Sequence, residues 1–231
     1  MIHRMKIGII LLFLWAITKI LPAATAAYDY QKERLLVDSY RALMEEKYAE
    51  ALPLLNDIIA HGDADAETYF CAGYAEYHLN DCEKAIEHYR QAVKLQPHLK
   101  EALLNQGVAE IVAGNGNEAV ALGQAIISFA PDYTPAYHLM AAASGYLNEK
   151  KAEVDYYREA LRKDSTFYLA RFNLALSYIR LDWQKEAVEE LIRAINLQSD
   201  FAAAHYWLGQ VYGMLRNPAE EAIAYDNALH L

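Results

Sequence analysis

A strict 34-residue periodicity is the strongest constraint on how this chain of 231 residues can fold. Six copies follow one another without insertion or deletion, and they begin at Lys32, Ala66, Lys100, Thr134, Tyr168 and Ala202. The eighth place of each copy holds a small residue, in order Ser39, Gly73, Gly107, Ala141, Ala175 and Gly209. A period of this length is typical of stacked arrays, in which one unit cannot bury its apolar face alone. Function is therefore expected on the surfaces of the array, which favours binding over catalysis.

Each copy reads as two helices separated by a tight turn, because apolar residues recur at helical spacing in two stretches. The break between the stretches carries turn-type residues, at Glu46, Asn80, Gly114, Asn148, Asp182 and Arg216 with Asn217. Alanine predominates at places 20 and 27, as in Ala85 and Ala92, where two helix backbones are expected to approach closely. Place 24 carries a bulky residue in most copies, such as Tyr89, which is expected to fill the remaining space.

This pattern resembles the tetratricopeptide repeat, and the second copy shows the family places best, with Tyr69, Gly73, Ala85, Tyr89, Ala92 and Pro97. The fifth and sixth copies match through Leu174, Ala175, Tyr178, Ala187 and Ala194, and through Leu208, Gly209, Tyr212, Tyr225 and Ala228. Four residues depart from the pattern: Glu153 and Glu221 at place 20, Gly123 at place 24, and Asp38 at a place that is usually apolar. The resemblance covers residues 32 to 231 and implies an all-α fold. That fold is an α-solenoid of six antiparallel helix-turn-helix repeats forming a right-handed superhelix.

The first 27 residues have the composition of a secretory signal peptide. His3, Arg4 and Lys6 precede an apolar run over residues 7–17, and small residues follow at 23–27. We predict cleavage after Ala26 or Ala27, which leaves a tetratricopeptide solenoid over residues 28–231. The expected location is the bacterial periplasm or a secreted space. The alternative is an inner-membrane anchor formed by residues 7–27, and membrane contact is expected only if this segment stays uncleaved.

Without residues 1–27 the chain has 18 Lys and Arg against 31 Asp and Glu, a net charge of −13. An acidic array repels phosphate backbones, so nucleic acid is not an expected partner. The two cysteines, Cys71 and Cys82, lie too far apart in an antiparallel helix pair for a relaxed disulfide. Two free thiols are therefore predicted, with Cys82 packed in the core.

No motif in the sequence indicates catalysis, a metal or a cofactor. The histidines show no metal-ligand spacing on one helix face, and no set of oppositely tuned titratable groups is evident. The carboxylates of the second helices, Glu87, Glu153, Glu189 and Glu190, are interpreted as a solvent-facing surface. The chain is therefore not expected to be an enzyme.

The family resemblance implies that the first helices of the copies line a concave face, and here that face is rich in apolar and aromatic residues. It includes Leu104, Val108, Ile111 and Val112 in the third copy, and Leu139 and Ala142 in the fourth. The groove residues predicted to contact a partner are Tyr40, Phe70, Tyr74, Tyr77, His78, Asn105, His138, Tyr146, Phe172, Asn173, Arg180, Tyr206, Trp207 and Gln210. A continuous apolar strip marks a partner site, and aromatic residues dominate binding energies at such sites. Chaperone-binding relatives use a lysine and asparagine clamp on this face, and that set is not present here.

The sequence therefore predicts a non-enzymatic, exported adaptor or assembly factor that binds an apolar or aromatic peptide or protein partner. The alternative is a scaffold that forms homo-oligomers through an uncovered edge of the last copy, where Ile223, Tyr225, Leu229 and Leu231 are the candidate interface residues.

Overall fold

The computed structural model describes residues 31–62 and 64–231, and all regular structure in these ranges is α-helical. Helices α1 to α12 span 31–44, Tyr48–Ala60, Ala66–His78, Cys82–Leu95, Lys100–Val112, Gly116–Phe129, Thr134–Tyr146, Lys150–Lys163, Tyr168–Arg180, Gln184–Leu197, Ala202–Met214 and Pro218–Leu229. The predicted fold class, an all-α array of antiparallel helix hairpins, is confirmed. Within the described ranges no helix is both long and apolar enough to cross a membrane. The predicted signal peptide lies outside the described residues.

The turn inside each copy uses one backbone arrangement. Place 15 has a left-handed conformation in every copy, with φ between 56° and 92°, at Glu46, Asn80, Gly114, Asn148, Asp182 and Arg216. The amide of place 16 donates to the carbonyl of place 11, as from Asp81 to Glu76 at 2.9 Å. This pairing is the Schellman closure of a helix C-terminus. The predicted turn positions are confirmed, and one constant turn length keeps the period at 34 residues.

The chain divides into two compact units, Met1–Leu95 and Gln96–Leu231. In the described part of the first unit, α3 packs against both α2 and α4. Leu55, Cys71 and Ala72 form a buried cluster there. Tyr89, at place 24, is fully buried over Gly73, where an added Cβ would lie 2.9 Å from the tyrosine ring. The small residue at place 8 therefore makes room for the large one at place 24.

In the second unit each helix from α5 to α12 packs against its neighbour in sequence. The main core runs from Ala141 to Ala224 and includes the place-24 residues Tyr157 and Leu191. The departure at Gly123 has a packing explanation. Met140 of α7 is fully buried, and its side chain occupies the space beside Gly123 that a bulky place-24 residue fills elsewhere.

Both cysteines are free, as predicted, but the expected packing of Cys82 in the core is wrong. Cys71 is buried, whereas Cys82 is only half-buried at the start of α4. Burial, with the nearby Glu67 and Asp65 carboxylates, raises the pKa of the Cys71 thiol to about 12. The Cys71 thiol is therefore protonated and unreactive at neutral pH.

The prediction of a solvent-facing row of carboxylates is wrong for two of its four members. Glu87 and Glu189 are exposed, but Glu153 and Glu190 are buried, with 4% and 8% of their surface accessible. The Glu190 carboxylate accepts a hydrogen bond from Arg171 Nη1 of α9 at 2.8 Å, and Arg193 also donates to it. Helical spacing alone does not show which carboxylates are covered by an arginine from a neighbouring helix. The sequence pattern therefore did not predict the burial of Glu153 or Glu190.

Candidate partner-binding surface

In the first unit, the predicted groove residues of α3 form a row of aromatic rings. The Tyr74 ring centre lies 6.4 Å from that of Phe70 and 4.5 Å from that of His78. Tyr77 contacts His78 edge-on at 5.6 Å. Tyr48 of α2 stacks on His78 at 4.4 Å with only 7° between the ring planes. Because the rings pack against one another, they already cover much of their own apolar surface.

Tyr40 of α1, also predicted to bind a partner, is half-buried beside the Leu55 cluster. Burial raises the pKa of its phenol, and the negative charges that Cys71, Glu67 and Asp65 can carry act in the same direction. Tyr40 therefore remains a neutral hydroxyl group and acts mainly as packing in this unit.

In the second unit, α5 and α7 enclose an apolar groove with a cavity of about 320 Å³, called here the α5–α7 groove. Its lining residues come from the first helices of the third and fourth copies: Leu104, Val108, Ile111, Val112, Pro135, His138, Leu139 and Ala142. Leu139 is almost fully buried, and the other lining residues are half-buried or exposed. Val112, at the end of α5, is 61% exposed. The groove therefore has a packed floor and an accessible apolar wall.

Polar side chains at the edge of the α5–α7 groove already have partners. His138 Nε2 lies 2.8 Å from Asn173 Nδ2, so the two predicted groove residues join α7 to α9. Burial lowers the pKa of His138, which keeps its imidazole neutral and able to accept this hydrogen bond. The Asn105 amide donates to the Glu101 carbonyl at 2.9 Å, within α5. An incoming peptide backbone would have to exchange these hydrogen bonds for new ones.

Arg180, the one predicted groove cation, reaches back to a buried acid. Its guanidinium group donates to the Glu153 carboxylate, which also accepts a hydrogen bond from Ser177 Oγ at 2.7 Å. Glu153 lies directly over Gly145, where an added Cβ would be 2.9 Å from Glu153 Oε1. The arginine side chain is half-exposed, while the carboxylate is covered. Arg180 therefore joins two copies, and only part of it faces a partner.

Two further predicted groove residues of this unit, Tyr146 and Phe172, differ in their exposure to solvent. Tyr146, at the end of α7, is 55% exposed and has the same repeat place as Val112. Phe172 instead packs against Phe201, with 4.8 Å between ring centres. Tyr146 is thus available to a partner, whereas Phe172 belongs to the core.

Tyr206 and Trp207, predicted as groove residues, lie at the α11–α12 end of the unit. Here they form a pocket of about 460 Å³, called the end pocket, together with Ala202, Ala203, Tyr225, Ala228 and Leu229. The predicted edge residues Tyr225 and Leu229 thus share one site with two predicted groove residues. Gln210 donates to the Tyr206 hydroxyl at 3.3 Å. Ile223 and Leu231 are exposed but do not line the pocket.

Sequence reasoning missed site residues of two kinds. Tyr48 lies on a second helix, and Pro135 and Ala202 lie at the starts of first helices, so none belongs to the apolar stripe that identified the groove. A repeat-by-repeat comparison of the first two places of each copy would have found Pro135 and Ala202. Among the described residues, no group of three or more His, Cys, Asp or Glu side chains is arranged to hold a metal ion.

Stacked helix hairpins that carry an apolar groove on their first helices define the class of helical repeat proteins that bind other proteins. One family model, described as a tetratricopeptide repeat, matches residues 39–99 and 72–134. A second model, described as a TPR repeat, matches residues 184–215. The chain therefore contains tetratricopeptide repeats, as the sequence resemblance predicted.

Known proteins resemble this chain at low sequence identity. Anaphase-promoting complex subunit 3 of Schizosaccharomyces pombe is 22% identical over 88% of this chain and 31% of its own length. The chain spans less than a third of the length of the curated relatives it matches. The crystal structure of PilW, described as a widely conserved type IV pilus biogenesis factor, covers 84% of this chain and 90% of PilW, with a TM-score of 0.75 and 15% identity. The structure of MamA from Desulfovibrio magneticus RS-1, residue 41 to the end, aligns with 74% of this chain and 97% of the MamA chain, with a TM-score of 0.65 and 22% identity. At these identities the structural likeness establishes the fold.

Proposed function

We propose that this chain is a non-enzymatic, six-repeat adaptor or assembly factor that binds an apolar or aromatic-rich segment of a protein partner. The observation that carries the proposal is the α5–α7 groove, whose lining is apolar except for His138. The fold belongs to a class of interaction proteins, and its likeness to PilW, a pilus biogenesis factor, agrees with an assembly role.

The chemistry of the groove defines the partner segment. Val112 and Tyr146 leave apolar surface in water, and covering it contributes about 25 cal/mol per Å². The cavity of about 320 Å³ has room for one or two large side chains of an incoming segment. Because the rim offers neutral groups, Asn105 and His138, the groove selects apolar side chains rather than a charged terminus.

A displayed peptide library selected on the full chain tests this function. We expect enriched peptides to share apolar or aromatic anchors, and Val112→Glu to weaken their binding by more than about tenfold, since it places a charge on the groove wall. Ile192→Glu is the matched control, because Ile192 is also an exposed aliphatic residue but lies on the second helix α10. Equal loss of binding in both variants, or enrichment of acidic or basic peptides without apolar anchors, would contradict the proposal.

We further propose that the chain is exported, on the composition of residues 1–27. Mass spectrometry of the protein from an envelope fraction should then find an N-terminus at Ala27 or Tyr28. An intact Met1 in the membrane fraction would support the anchor alternative, and a cytoplasmic full-length chain would contradict export.

The scaffold alternative has less support than the adaptor role. In a head-to-tail homo-oligomer, α1 of one chain would cover α11 and α12 of the next. α1 carries Arg34 and Arg41, both paired with Asp38, at places 3 and 10. In the later copies both places hold uncharged residues that are almost fully buried, as at Ala170 and Ala204 for place 3. Such an assembly would bury two guanidinium groups, which is costly without new partners.

A further inference from the structure

The end pocket is shaped for a particular kind of helix, and this surface is separate from the α5–α7 groove. We propose that the α11–α12 end binds a partner helix with four features. These are an aromatic residue directly before its first turn, small residues at its third and tenth positions, and an arginine at its thirteenth. The aromatic residue and the buried third and tenth positions occur at two earlier junctions of the same unit, and the arginine occurs at one, between α8 and α9.

The aromatic residue follows from how earlier copies fill the same position. In the fourth copy, Phe167 directly precedes α9, and its ring lies 5.4 Å from that of His138. In the fifth copy, Phe201 directly precedes α11 and lies 4.8 Å from Phe172. The sixth copy has Tyr206 at the place of His138 and Phe172, and no described residue occupies the position of the two phenylalanines. The end pocket is therefore the unfilled equivalent of an aromatic site.

The arginine follows from a carboxylate that occurs twice. Glu221 lies over Gly213 just as Glu153 lies over Gly145, and an added Cβ on either glycine would be 2.9 Å from the glutamate Oε1. Glu153 is buried because Ser177 and Arg180 of the next helix donate to it. Glu221 is half-buried, and no described side chain donates a hydrogen bond to it. A partner helix that packed on the sixth copy as α9 packs on the fourth would bring an arginine at its thirteenth position to Glu221.

The small residues follow from backbone approach. Ala170 and Ser177, the third and tenth residues of α9, are small and buried. Helix α11 also buries these two positions, with Ala204 and the larger Val211. The segment Phe167, Ala170, Ser177 and Arg180 thus contains the complete pattern in this chain. It already packs against the fourth copy in its own unit, and α1 carries arginines at the third and tenth positions, so a second folded copy of the chain does not supply the helix.

A synthetic peptide of residues 164–197, which contains the α9–α10 hairpin, is the probe for the full chain. We expect saturable binding that Glu221→Gln weakens by roughly tenfold, the size expected for loss of a charge-assisted hydrogen bond. Glu220→Gln makes the same charge change at an exposed neighbour and should leave the affinity unchanged. A peptide with Arg180→Met should bind both proteins equally weakly, which shows that the two groups are coupled.

A tethered version removes the cost of folding the peptide. Residues 164–197 appended after Leu231 continue the 34-residue period without a gap. In this fusion Glu221→Gln should lower the melting temperature, while in the parent chain it should not. Equal effects of Glu221→Gln and Glu220→Gln in both formats, or an unchanged effect after Arg180→Met in the appended copy, would overturn the proposal. Val112→Glu changes the α5–α7 groove and should not alter either result. The proposals for the two surfaces can therefore be contradicted independently of each other.

Discussion

At the scale of single residues, two copies form their internal turn with a side chain that does not favour the left-handed conformation. Glu46 and Arg216 have φ values of 58° and 56°, in the left-handed region where a Cβ is unfavourable. Gly114 has the same place and pays no such cost. Since the Schellman hydrogen bonds of the turn are the same in all copies, the turn geometry dominates over the local preference of these residues.

Replacing Arg216 with glycine should therefore stabilise the chain by about 0.5–1 kcal/mol, because the backbone strain is relieved and glycine's extra freedom in the unfolded state offsets only part of the gain. Thermal unfolding followed by circular dichroism measures the change. Arg216→Ala is the control: it removes the same charge but keeps the Cβ, and should give no increase. A melting temperature raised equally by both variants would show that charge, rather than backbone conformation, is responsible.

His138 links single-residue chemistry to pH. Its burial lowers its pKa below the usual 6.5, so the folded protein binds a proton less readily than the unfolded chain does. Stability should thus be unaffected at neutral pH and fall as the pH drops below about 6.5. His138→Gln lacks this titration and should lose less stability between about pH 7.5 and 5.5. Melting curves of both proteins at several pH values check the difference, and parallel losses would contradict it.

At the scale of helices, the side-chain sizes at places 12 and 20 compensate each other: where one is large, the other is small. Four copies pair a large residue with alanine, as Leu43 with Ala51, Tyr77 with Ala85, Ile111 with Ala119, and Ile179 with Ala187. The other two copies pair glycine with glutamate, Gly145 with Glu153 and Gly213 with Glu221. The departure from the family pattern at place 20 is therefore compensated on the facing helix, because one interhelical space receives one large side chain.

Gly145→Ala should destabilise the chain by about 1–3 kcal/mol, since the new Cβ meets the Glu153 carboxylate. Glu153→Ala should also destabilise it, because Ser177 and Arg180 lose their acceptor. The double variant should be more stable than the sum of the single effects predicts, with a coupling of about 1 kcal/mol or more. Urea denaturation of the four proteins completes the cycle, and strict additivity would show that the two places do not share a space.

At the scale of the whole molecule, net charge and apolar surface favour the same kind of partner. The chain without residues 1–27 has a net charge of −13, and the α5–α7 groove and the end pocket have mainly apolar linings. Long-range electrostatics therefore disfavour polyanions, and local burial favours apolar protein segments.

Duplex DNA should accordingly fail to bind even at about 50 mM salt, where phosphate contacts are strongest. An electrophoretic mobility assay with the full chain measures this. A shifted band that disappears as salt is added would show a basic surface that the net charge conceals, and would contradict the prediction.

The period predicted most of the fold and only part of the site. The left-handed turns recur in every copy, and the bulky place-24 residues recur in all copies but the third, so averaging over six copies makes them visible in the sequence. Site residues occur once. Tyr206 and Trp207 share the stripe of the groove residues, and only their position in the last copy separates them from that groove. Likewise, the burial of Glu190 depends on Arg171 from another helix.

The amino-acid sequence by itself thus determined the all-α repeat, its turns and its small-to-large packing, because these depend on interactions within about one copy that are repeated along the chain. Only the tertiary structure decided which apolar residues remain free and which carboxylates are covered. It also decided that, among the described residues, no aromatic side chain fills the end pocket and no arginine pairs with Glu221, as Arg180 pairs with Glu153. The physical reason is that exposure depends on what a neighbouring copy covers, and no single copy carries that information.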